Sequence, residues 1–319
     1  MKVLVMGGTR FMGLQAVRQL LMGGHEITIV HRGSRPHPFG AEVTEILGDR
    51  DDPATLTRLA ASSLDAVLDF SAYRAAQTAS LLTALPTIAR WVHCSTGALY
   101  DPSPLFPWPE ESPYGPWPLW GDYGREKMGC EQLLQIMRPV GTVTISIRPP
   151  YVLGPANYAS REEFVFNRLL DSEPIFIEGD GKAPLQMTTA TDAGRVFARA
   201  VTLPFNSGFN AINIGMDHWC SSLGFIQLCG QIAGREPSII HLPAANPGAP
   251  FNMIDHLFPF PDEPYVLSTE KLHTSRLLSV EESQSLMEVI NESYEFLMAH
   301  PERRIWSRYP SEQQALDSL

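Results

Sequence analysis

A tyrosine and a lysine four residues apart are the pair in this 319-residue chain whose types and spacing best suit chemistry. Tyr123 and Lys127 share one face if their segment is a helix. A tyrosine hydroxyl, with a pKa of about 10, is a poor base at neutral pH. An ammonium group one helical turn away favours the phenolate and lowers that pKa. The pair is therefore a candidate for general acid–base catalysis.

A hydroxyl side chain completes this candidate site. Thr96, or its neighbour Ser95, follows the predicted strand 91–94 and can hold a substrate alcohol or carbonyl in place. Lys127 can also bind the ribose of a nicotinamide cofactor. Together Thr96, Tyr123 and Lys127 suit proton-coupled hydride transfer, and we interpret them as the catalytic residues.

The first thirteen residues have the pattern of a dinucleotide-binding turn. A short apolar strand, residues 2–6, runs into Gly-Gly-Thr-Arg-Phe-Met-Gly, and apolar residues at helical spacing follow. Strand, glycine turn and helix is the context in which such a motif binds a pyrophosphate. We expect Gly7 to provide the sharp turn, Gly8 to let the backbone approach the phosphates, and Gly13 to let the helix pack closely. The predicted cofactor-binding residues here are Gly7, Gly8, Thr9, Arg10, Phe11, Met12 and Gly13, with Arg10 in place of the usual middle glycine.

The residues after the second predicted strand, 27–30, favour NADP over NAD. NAD-binding proteins usually have an acidic residue there for the ribose 2′-hydroxyl. This chain has His31-Arg32-Gly33-Ser34-Arg35 and no carboxylate. Guanidinium groups suit a 2′-phosphate, and Arg10, Arg32 and Arg35 are available for it. We therefore assign His31 and Arg32 to the cofactor site as well.

Two further strand ends extend the predicted site. The third strand, 43–47, precedes Asp49 and Arg50, and Asp49 either meets the adenine or caps the helix that begins near Pro53. The fourth strand, 65–70, precedes Ser71, Ala72 and Tyr73 at the sheet edge where ligands bind. Asp49, Arg50, Ser71 and Ala72 are assigned to the cofactor, and Tyr73 to the substrate.

The alternation of strands and helices predicts an α/β fold, a Rossmann-like doubly wound parallel sheet with a smaller C-terminal substrate lobe. We expect residues 1–150 to form the dinucleotide-binding domain, with 205–220 returning to it. Residues 151–300 form mainly the lobe, ending in a helix over 279–299, and 301–319 form a polar tail that frays. The segment 101–122, with seven prolines and three tryptophans, is either a functional lid or a loop packed on the body.

Composition restricts the class of protein. The net charge of −11 supplies no general attraction to a phosphate backbone, so nucleic-acid binding is unlikely on this ground. The chain has no long apolar run and no signal-peptide layout, which predicts a cytoplasmic protein without a membrane segment. The four cysteines are scattered, and no metal site is predicted.

Five motifs resemble those of the extended short-chain dehydrogenase/reductase superfamily, which includes nucleotide-sugar epimerases and dehydratases. They are the glycine turn 7–13, Ser95-Thr96-Gly97-Ala98-Leu99-Tyr100, Tyr123-x-x-x-Lys127, the segment 148–155, and Thr191-Asp192. The resemblance implies that Thr96, Tyr123 and Lys127 are catalytic and that Pro149 lies beside the cofactor. It also implies a nucleotide-sugar substrate, contacted by Tyr151 and Asn157, and a homodimer.

Two departures from the family's patterns refine this expectation. The glycine turn and Gly154-Pro155-x-Asn157-Tyr158 resemble a branch that includes the chloroplast stem-loop-binding proteins, which are associated with RNA and tend to lack the Tyr-x-x-x-Lys pair kept here. Dehydratases of the superfamily follow their threonine with Asp-Glu, whereas Thr96 precedes Gly97-Ala98. An epimerase or reductase is therefore expected and a dehydratase disfavoured. The alternative is a non-catalytic nucleotide-sensing or RNA-binding protein on the same fold.

Overall fold

The computed structural model describes residues 1–102, 106–115, 117–243, 257–304 and 306–317. The strands are β1 (Lys2–Met6), β2 (Glu26–His31), β3 (Val43–Leu47), β4 (Ala66–Asp69), β5 (Arg90–Cys94), β6 (Val143–Arg148), β7 (Tyr151–Leu153), β8 (Ile175–Glu178), β9 (Met187–Thr189), β10 (Gly208–Asn213) and β11 (Ile239–Leu242). The α-helices are α1 (Phe11–Met22), α2 (Pro53–Ala60), α3 (Ala75–Ala84), α4 (Gly121–Met137), α5 (Arg161–Leu170), α6 (Ala190–Thr202), α7 (Ser222–Ala233), α8 (Glu270–Thr274), α9 (Leu286–Ala299) and α10 (Pro310–Asp317).

A seven-stranded parallel sheet in the order β10-β6-β5-β4-β1-β2-β3 forms the body of the molecule. One apolar core lies between the sheet and helices α1 and α6, and another between the opposite face and α2, α3 and α4. Strands covered on both faces explain the continuous apolar runs in the sequence. The predicted Rossmann-like fold is confirmed. The strand order reverses direction between β1 and β4, and in such sheets this is where a crevice opens at the carboxyl ends.

The remaining elements form a third core beside the sheet. Strands β7 and β9 pair in parallel, as do β8 and β11, and α5, α7 and α9 pack with them. Strand β10 is hydrogen-bonded to β6 at the edge of the main sheet. The division into a domain over 1–150, with 205–220 returning to it, and a lobe over 151–300 stays a prediction.

Two C-terminal elements differ from the prediction. Helix α9 begins at Leu286 with Ser285 as its cap, whereas Ser279 opens a separate short turn that ends before it. The tail contains helix α10, and its Glu312 is buried against Arg168, with 2.6 Å between Oε1 and Nη2. The tail is therefore held by an ion pair that sequence periodicity does not reveal.

The described part of the segment 101–122 packs on the body. Trp108 is buried, and the rings of Trp108, Trp117 and Trp120 meet edge to face in succession. Trp108 and Trp120 also contact Tyr265, which favours the packed-loop interpretation. Residues 103–105 and 116 lie outside the described residues.

No helix in the described ranges is long and apolar enough to cross a membrane.

Candidate active site

Helix α4 brings Tyr123 and Lys127 to the carboxyl ends of β4 and β5. Lys127 is buried, and its Nζ donates hydrogen bonds to the backbone oxygens of Ala72 (2.8 Å) and Cys94 (2.7 Å). Tyr123 is 43 % exposed and lines the same cavity as Thr96. The Thr96 Oγ1 accepts the Ala98 N–H at 3.1 Å, which fixes the turn Gly97–Leu99. The three predicted catalytic residues therefore meet at one place.

The surroundings keep Tyr123 protonated at neutral pH in the protein without a bound ligand. Burial raises the pKa of Tyr123 to about 12, although the nearby Thr96 hydroxyl and the positive charge of Arg161 act in the opposite direction. The Lys127 ammonium donates to two backbone carbonyls, and Arg161 is a further cation that lowers the pKa of Tyr123. The predicted influence of Lys127 on this pKa stays a prediction.

A cavity of about 380 Å³ lies in front of these three residues. Its walls include eleven residues predicted for the site, namely Arg10, Phe11, Met12, Gly13, Tyr73, Thr96, Tyr123, Lys127, Pro149, Tyr151 and Asn157. They also include Phe70, Trp120, Tyr158, Arg161 and Tyr265, which the sequence did not assign. Tyr158 stands in the quoted Gly154-Pro155-x-Asn157-Tyr158 motif, but the type and spacing of Arg161 carried no signal.

A second cavity of about 760 Å³ continues over the ends of β1, β2 and β4. The predicted cofactor residues that line it are Gly7, Thr9, Arg10, His31, Arg32, Asp49, Arg50 and Ser71. Arg10, Phe70 and Tyr73 border both cavities. The two cavities thus share a border at the sheet edge, an arrangement that suits an extended ligand such as a dinucleotide.

The glycine turn has the geometry that the motif requires, with one difference. Gly7 has φ +91°, and a Cβ on Gly13 would lie 2.3 Å from the Gly7 carbonyl oxygen. A Cβ on Gly8 would meet Val17 Cγ2 at 2.8 Å, so Gly8 is also needed for packing inside the domain, and its predicted role at the phosphates stays a prediction. No side chain caps the first turn of α1, which leaves its N–H groups suited to an anion.

Several predicted cofactor residues have their polar groups engaged within the protein. Arg50 donates to both Asp69 carboxylate oxygens, at 2.7 and 3.0 Å, and to Ser71 Oγ. The backbone N–H groups of Ser71 and Ala72 donate to the same carboxylate. These groups therefore shape the wall of the crevice, and their predicted contacts with the cofactor stay a prediction.

Asp49 does not cap helix α2, which was one of its two predicted roles. Its carboxylate accepts the Asp51 N–H at 2.9 Å, while Asp52 caps the helix through the N–H groups of Ala54 and Thr55. Asp49 lines the larger cavity, so the adenine-side interpretation stays a prediction.

The guanidinium groups of Arg10, Arg32 and Arg35 face the larger cavity without an ion pair to any described residue. The guanidinium carbon of Arg10 lies 4.5 Å from the centre of the Tyr158 ring. Because charged groups are stable in a crevice only when solvated or paired, three unpaired cations make this end suitable for anionic ligands.

His31 holds the loop that carries these arginines. Its Nδ1 accepts the Gly33 N–H, and its Nε2 lies 2.6 Å from a Glu45 oxygen, with His37 nearby. His31, His37 and Glu45 each offer one atom of a type that can bind a metal cation. However, the Nδ1 atoms of His31 and His37 both accept backbone N–H groups, which places the neutral ring protons on the Nε2 atoms that face Glu45. Both nitrogens of the His31 ring thus contact groups of the protein, Gly33 and Glu45.

Three residues predicted to contact the substrate differ in whether their polar groups already have partners within the protein. Tyr73 lies under the Lys127 ammonium, 5.0 Å from Nζ to the ring centre, and lines the smaller cavity together with Tyr158. Asn157 is buried, and its Nδ2 donates to the Val152 oxygen and to Glu162, so its side chain holds the loop. The hydroxyl of Tyr151 is buried and has no hydrogen-bond partner in the described structure.

The sheet order, the glycine turn and the joined cavities define a dinucleotide-binding Rossmann protein. Residues 3–215 match the family model described as the NAD dependent epimerase/dehydratase family, and the chain belongs to this family.

Two curated proteins are similar to this chain in sequence. The chain is 29 % identical over 308 residues to the chloroplast stem-loop binding protein of 41 kDa b from Arabidopsis thaliana, covering 92 % of the chain and 78 % of that protein. It is 27 % identical over 204 residues to 2′-dehydrokanamycin reductase from Streptomyces kanamyceticus, covering 62 % of the chain and 57 % of that protein.

Solved structures of epimerases share the fold. One is UDP-glucose 4-epimerase with UDP-glucose from Thermotoga maritima, with a TM-score of 0.76 and 19 % identity over 94 % of this chain and 100 % of that one. Another is UDP-glucuronic acid 4-epimerase from Bacillus cereus with UDP-glucuronic acid and NAD, with a TM-score of 0.74 and 20 % identity over 94 % and 99 %.

Proposed function

We propose that the protein is an NAD(P)-dependent epimerase or reductase that acts on a nucleotide sugar or a related hydroxyl or carbonyl compound. The observation that carries this proposal is that Thr96, Tyr123 and Lys127 line one cavity that borders the dinucleotide crevice. The epimerase structures of this fold, which hold UDP-sugars and NAD, and the reductase relative support the same reaction class.

The residues of the crevice fit a nicotinamide dinucleotide. The uncapped first turn of α1 and Arg10 suit the pyrophosphate, and Lys127 suits the nicotinamide ribose. Arg32 and Arg35 suit a 2′-phosphate, which is why we propose NADP as the preferred form. When bound, the cofactor supplies the acceptor or donor of a hydride.

Thr96 and Tyr123 then have different roles in the proton transfer. Thr96 orients the substrate hydroxyl, and Tyr123 would accept its proton as the phenolate, a form that the positive charge of an oxidised nicotinamide would favour. The hydride on the same carbon would pass to the cofactor. In the reverse direction the Tyr123 hydroxyl returns the proton to the carbonyl oxygen. None of the described residues that line the smaller cavity is a carboxylate, which favours an epimerase or reductase over a dehydratase, since elimination of water needs an acid and a base.

The test is the variant Tyr123→Phe in the full chain. We expect turnover of a UDP-sugar or of a reducible carbonyl substrate to fall by about three orders of magnitude or more, because the proton donor is lost. NADPH affinity, measured by fluorescence titration, should stay within about twofold of the wild type. Turnover at the wild-type rate in this variant would refute the proposed role.

RNA binding is the second candidate function, and the name of the Arabidopsis thaliana relative is the observation that favours it. The net charge of −11 weighs against it, because nonspecific affinity for RNA depends on basic groups. A stem-loop RNA titration at rising salt concentration separates the two functions. Tight binding at physiological salt, unaffected by NADPH, would support the second candidate.

A further inference from the structure

Arg10 and Tyr158 contact each other, although they belong to different parts of the fold. Arg10 ends the glycine turn and directly precedes α1, whereas Tyr158 lies in the loop between β7 and α5. The Arg10 guanidinium carbon is 4.5 Å from the centre of the Tyr158 ring, and the Phe11 ring meets the same ring edge to face at 5.7 Å. The dinucleotide turn is thus joined to a loop that lies outside the main sheet.

This contact lies where the two cavities meet. Arg10 borders both cavities, while Phe11 and Tyr158 line the smaller one. The larger cavity suits the nucleotide end of a dinucleotide, and the smaller one holds Tyr123. A ligand that occupies both cavities must therefore pass Arg10 and Tyr158 when it enters and when it leaves.

The loop that carries Tyr158 is held in place by polar contacts. Glu162 accepts the Gly154 N–H at 2.6 Å and the Asn157 amide at 2.8 Å. Arg303 donates to the Asn157 carbonyl oxygen at 3.2 Å. Tyr158 directly follows Asn157 and is 52 % exposed. Its ring is therefore a fixed surface, and the long Arg10 side chain is the part of the contact that is free to swing away.

The chemistry of the contact suits an element that opens and closes. A guanidinium over an aromatic ring gains a modest free energy at an exposed site and more when water is excluded. Arg10 has no ion pair with any described residue, so no carboxylate there competes with the ring. The contact needs none of the guanidinium N–H donors, which stay available for the pyrophosphate of a bound cofactor.

We propose that Arg10 and Tyr158 form a clasp at the border of the two cavities, and that this clasp must open for a nicotinamide dinucleotide to enter or leave. The inference rests on the proposed function, which assigns the crevice to that cofactor. The clasp acts on cofactor exchange and not on the chemical step. It therefore bears on whether the enzyme keeps its cofactor, as an epimerase does, or exchanges it, as a reductase does.

The experiment is stopped-flow fluorescence of the full chain with NADPH. Association is followed at rising NADPH concentration, and release is followed by displacement with excess NADP. We expect Tyr158→Leu to raise both rates by about 3- to 10-fold, the range for loss of a cation–π contact, while the Kd stays within about twofold. Both rates rise together because a closed clasp obstructs entry and exit alike.

Three further variants identify the contact that is responsible. Tyr158→Phe keeps the aromatic ring and should keep both rates close to those of the wild type. Arg10→Gln should raise the release rate as Tyr158→Leu does, and it should also weaken affinity because Arg10 suits the pyrophosphate as well. Trp219→Leu, at an exposed aromatic residue that borders neither cavity, is the matched control.

Unchanged rates in Tyr158→Leu would overturn the clasp and leave the proposed function intact. Faster release with unchanged association and an equal loss of affinity would also overturn it, because Tyr158 would then be an ordinary ligand contact. A wild-type protein that binds neither NADPH nor NADH would refute the clasp together with the cofactor of the proposed function. Turnover of Tyr123→Phe tests that function separately.

Discussion

Arg32 and Arg35 are the two residues that most directly test the proposed choice of cofactor. Both line the larger cavity after β2, in a segment over 31–35 that contains no acidic residue. A 2′-phosphate between unpaired guanidinium groups gains charge-assisted hydrogen bonds that a hydroxyl does not. We therefore expect the proposed preference for NADP to depend on these two side chains.

We predict that the double variant Arg32→Gln/Arg35→Gln loses about 10- to 100-fold in NADPH affinity and changes by less than about threefold toward NADH. Fluorescence titration with both nucleotides measures the two constants. Arg18→Gln, an exposed arginine on α1 that borders neither cavity, is the control. Equal affinity of the wild type for NADPH and NADH would contradict the assignment.

At the scale of elements, the position of Tyr123 depends on how closely α4 approaches the turn after β5. Gly124 makes that approach possible, because a Cβ there would lie 2.6 Å from the Ala98 carbonyl oxygen. Tyr123 precedes this glycine on the helix, and Thr96 begins the facing turn. A displaced helix would separate the two hydroxyls.

We predict that Gly124→Ala reduces kcat by about 10- to 100-fold, since a shift of roughly 1 Å in a catalytic group has that effect. Steady-state kinetics with the substrate found for the wild type would measure it. Gly224→Ala is the control, because a Cβ there has only ordinary contacts of 3.5 Å or more within α7. Wild-type kcat in Gly124→Ala would show that this contact does not position Tyr123.

On the scale of the whole molecule, a buried ion pair joins α4, β6 and the segment 101–122. Arg148 donates to both oxygens of Glu131, at 3.0 and 2.7 Å, and also to the hydroxyls of Tyr100 and Tyr114. It donates to the Glu110 backbone oxygen as well. Burial alone would raise the pKa of Glu131, but Arg148 outweighs it and the net pKa is lowered.

We predict that Glu131→Gln lowers the free energy of unfolding at pH 7 by about 3 to 5 kcal/mol, because Arg148 is left buried without a counter-ion. A lowered folded-state pKa stabilises the protein above the unfolded pKa, and this contribution is lost as the pH falls through the folded value. The difference from the wild type should therefore shrink below about pH 4.5. Urea unfolding at pH 7 and pH 4 measures both values.

Glu236→Gln, at an exposed position, is the control for this prediction. A loss as small as that of the control would mean that the ion pair does not stabilise the fold.

The sequence by itself determined the sheet, the glycine turn and the grouping of Thr96, Tyr123 and Lys127. Each depends on local patterns: apolar runs that form buried strands, a turn that only glycine allows at Gly7, and helical spacing between Tyr123 and Lys127. In a parallel sheet the carboxyl ends of strands share one edge, so residues after successive strands converge without further information.

Only the tertiary structure decided which polar groups remain free. Arg50 and Arg161 are the same residue type, but Asp69 neutralises the first, whereas the second lies against aromatic rings and has no ion pair among the described residues. The side-chain amide of Asn157 is likewise engaged, because it donates a hydrogen bond to Glu162. Pairing depends on side chains far apart in sequence that reach one another through the fold, and neither spacing nor composition records those contacts.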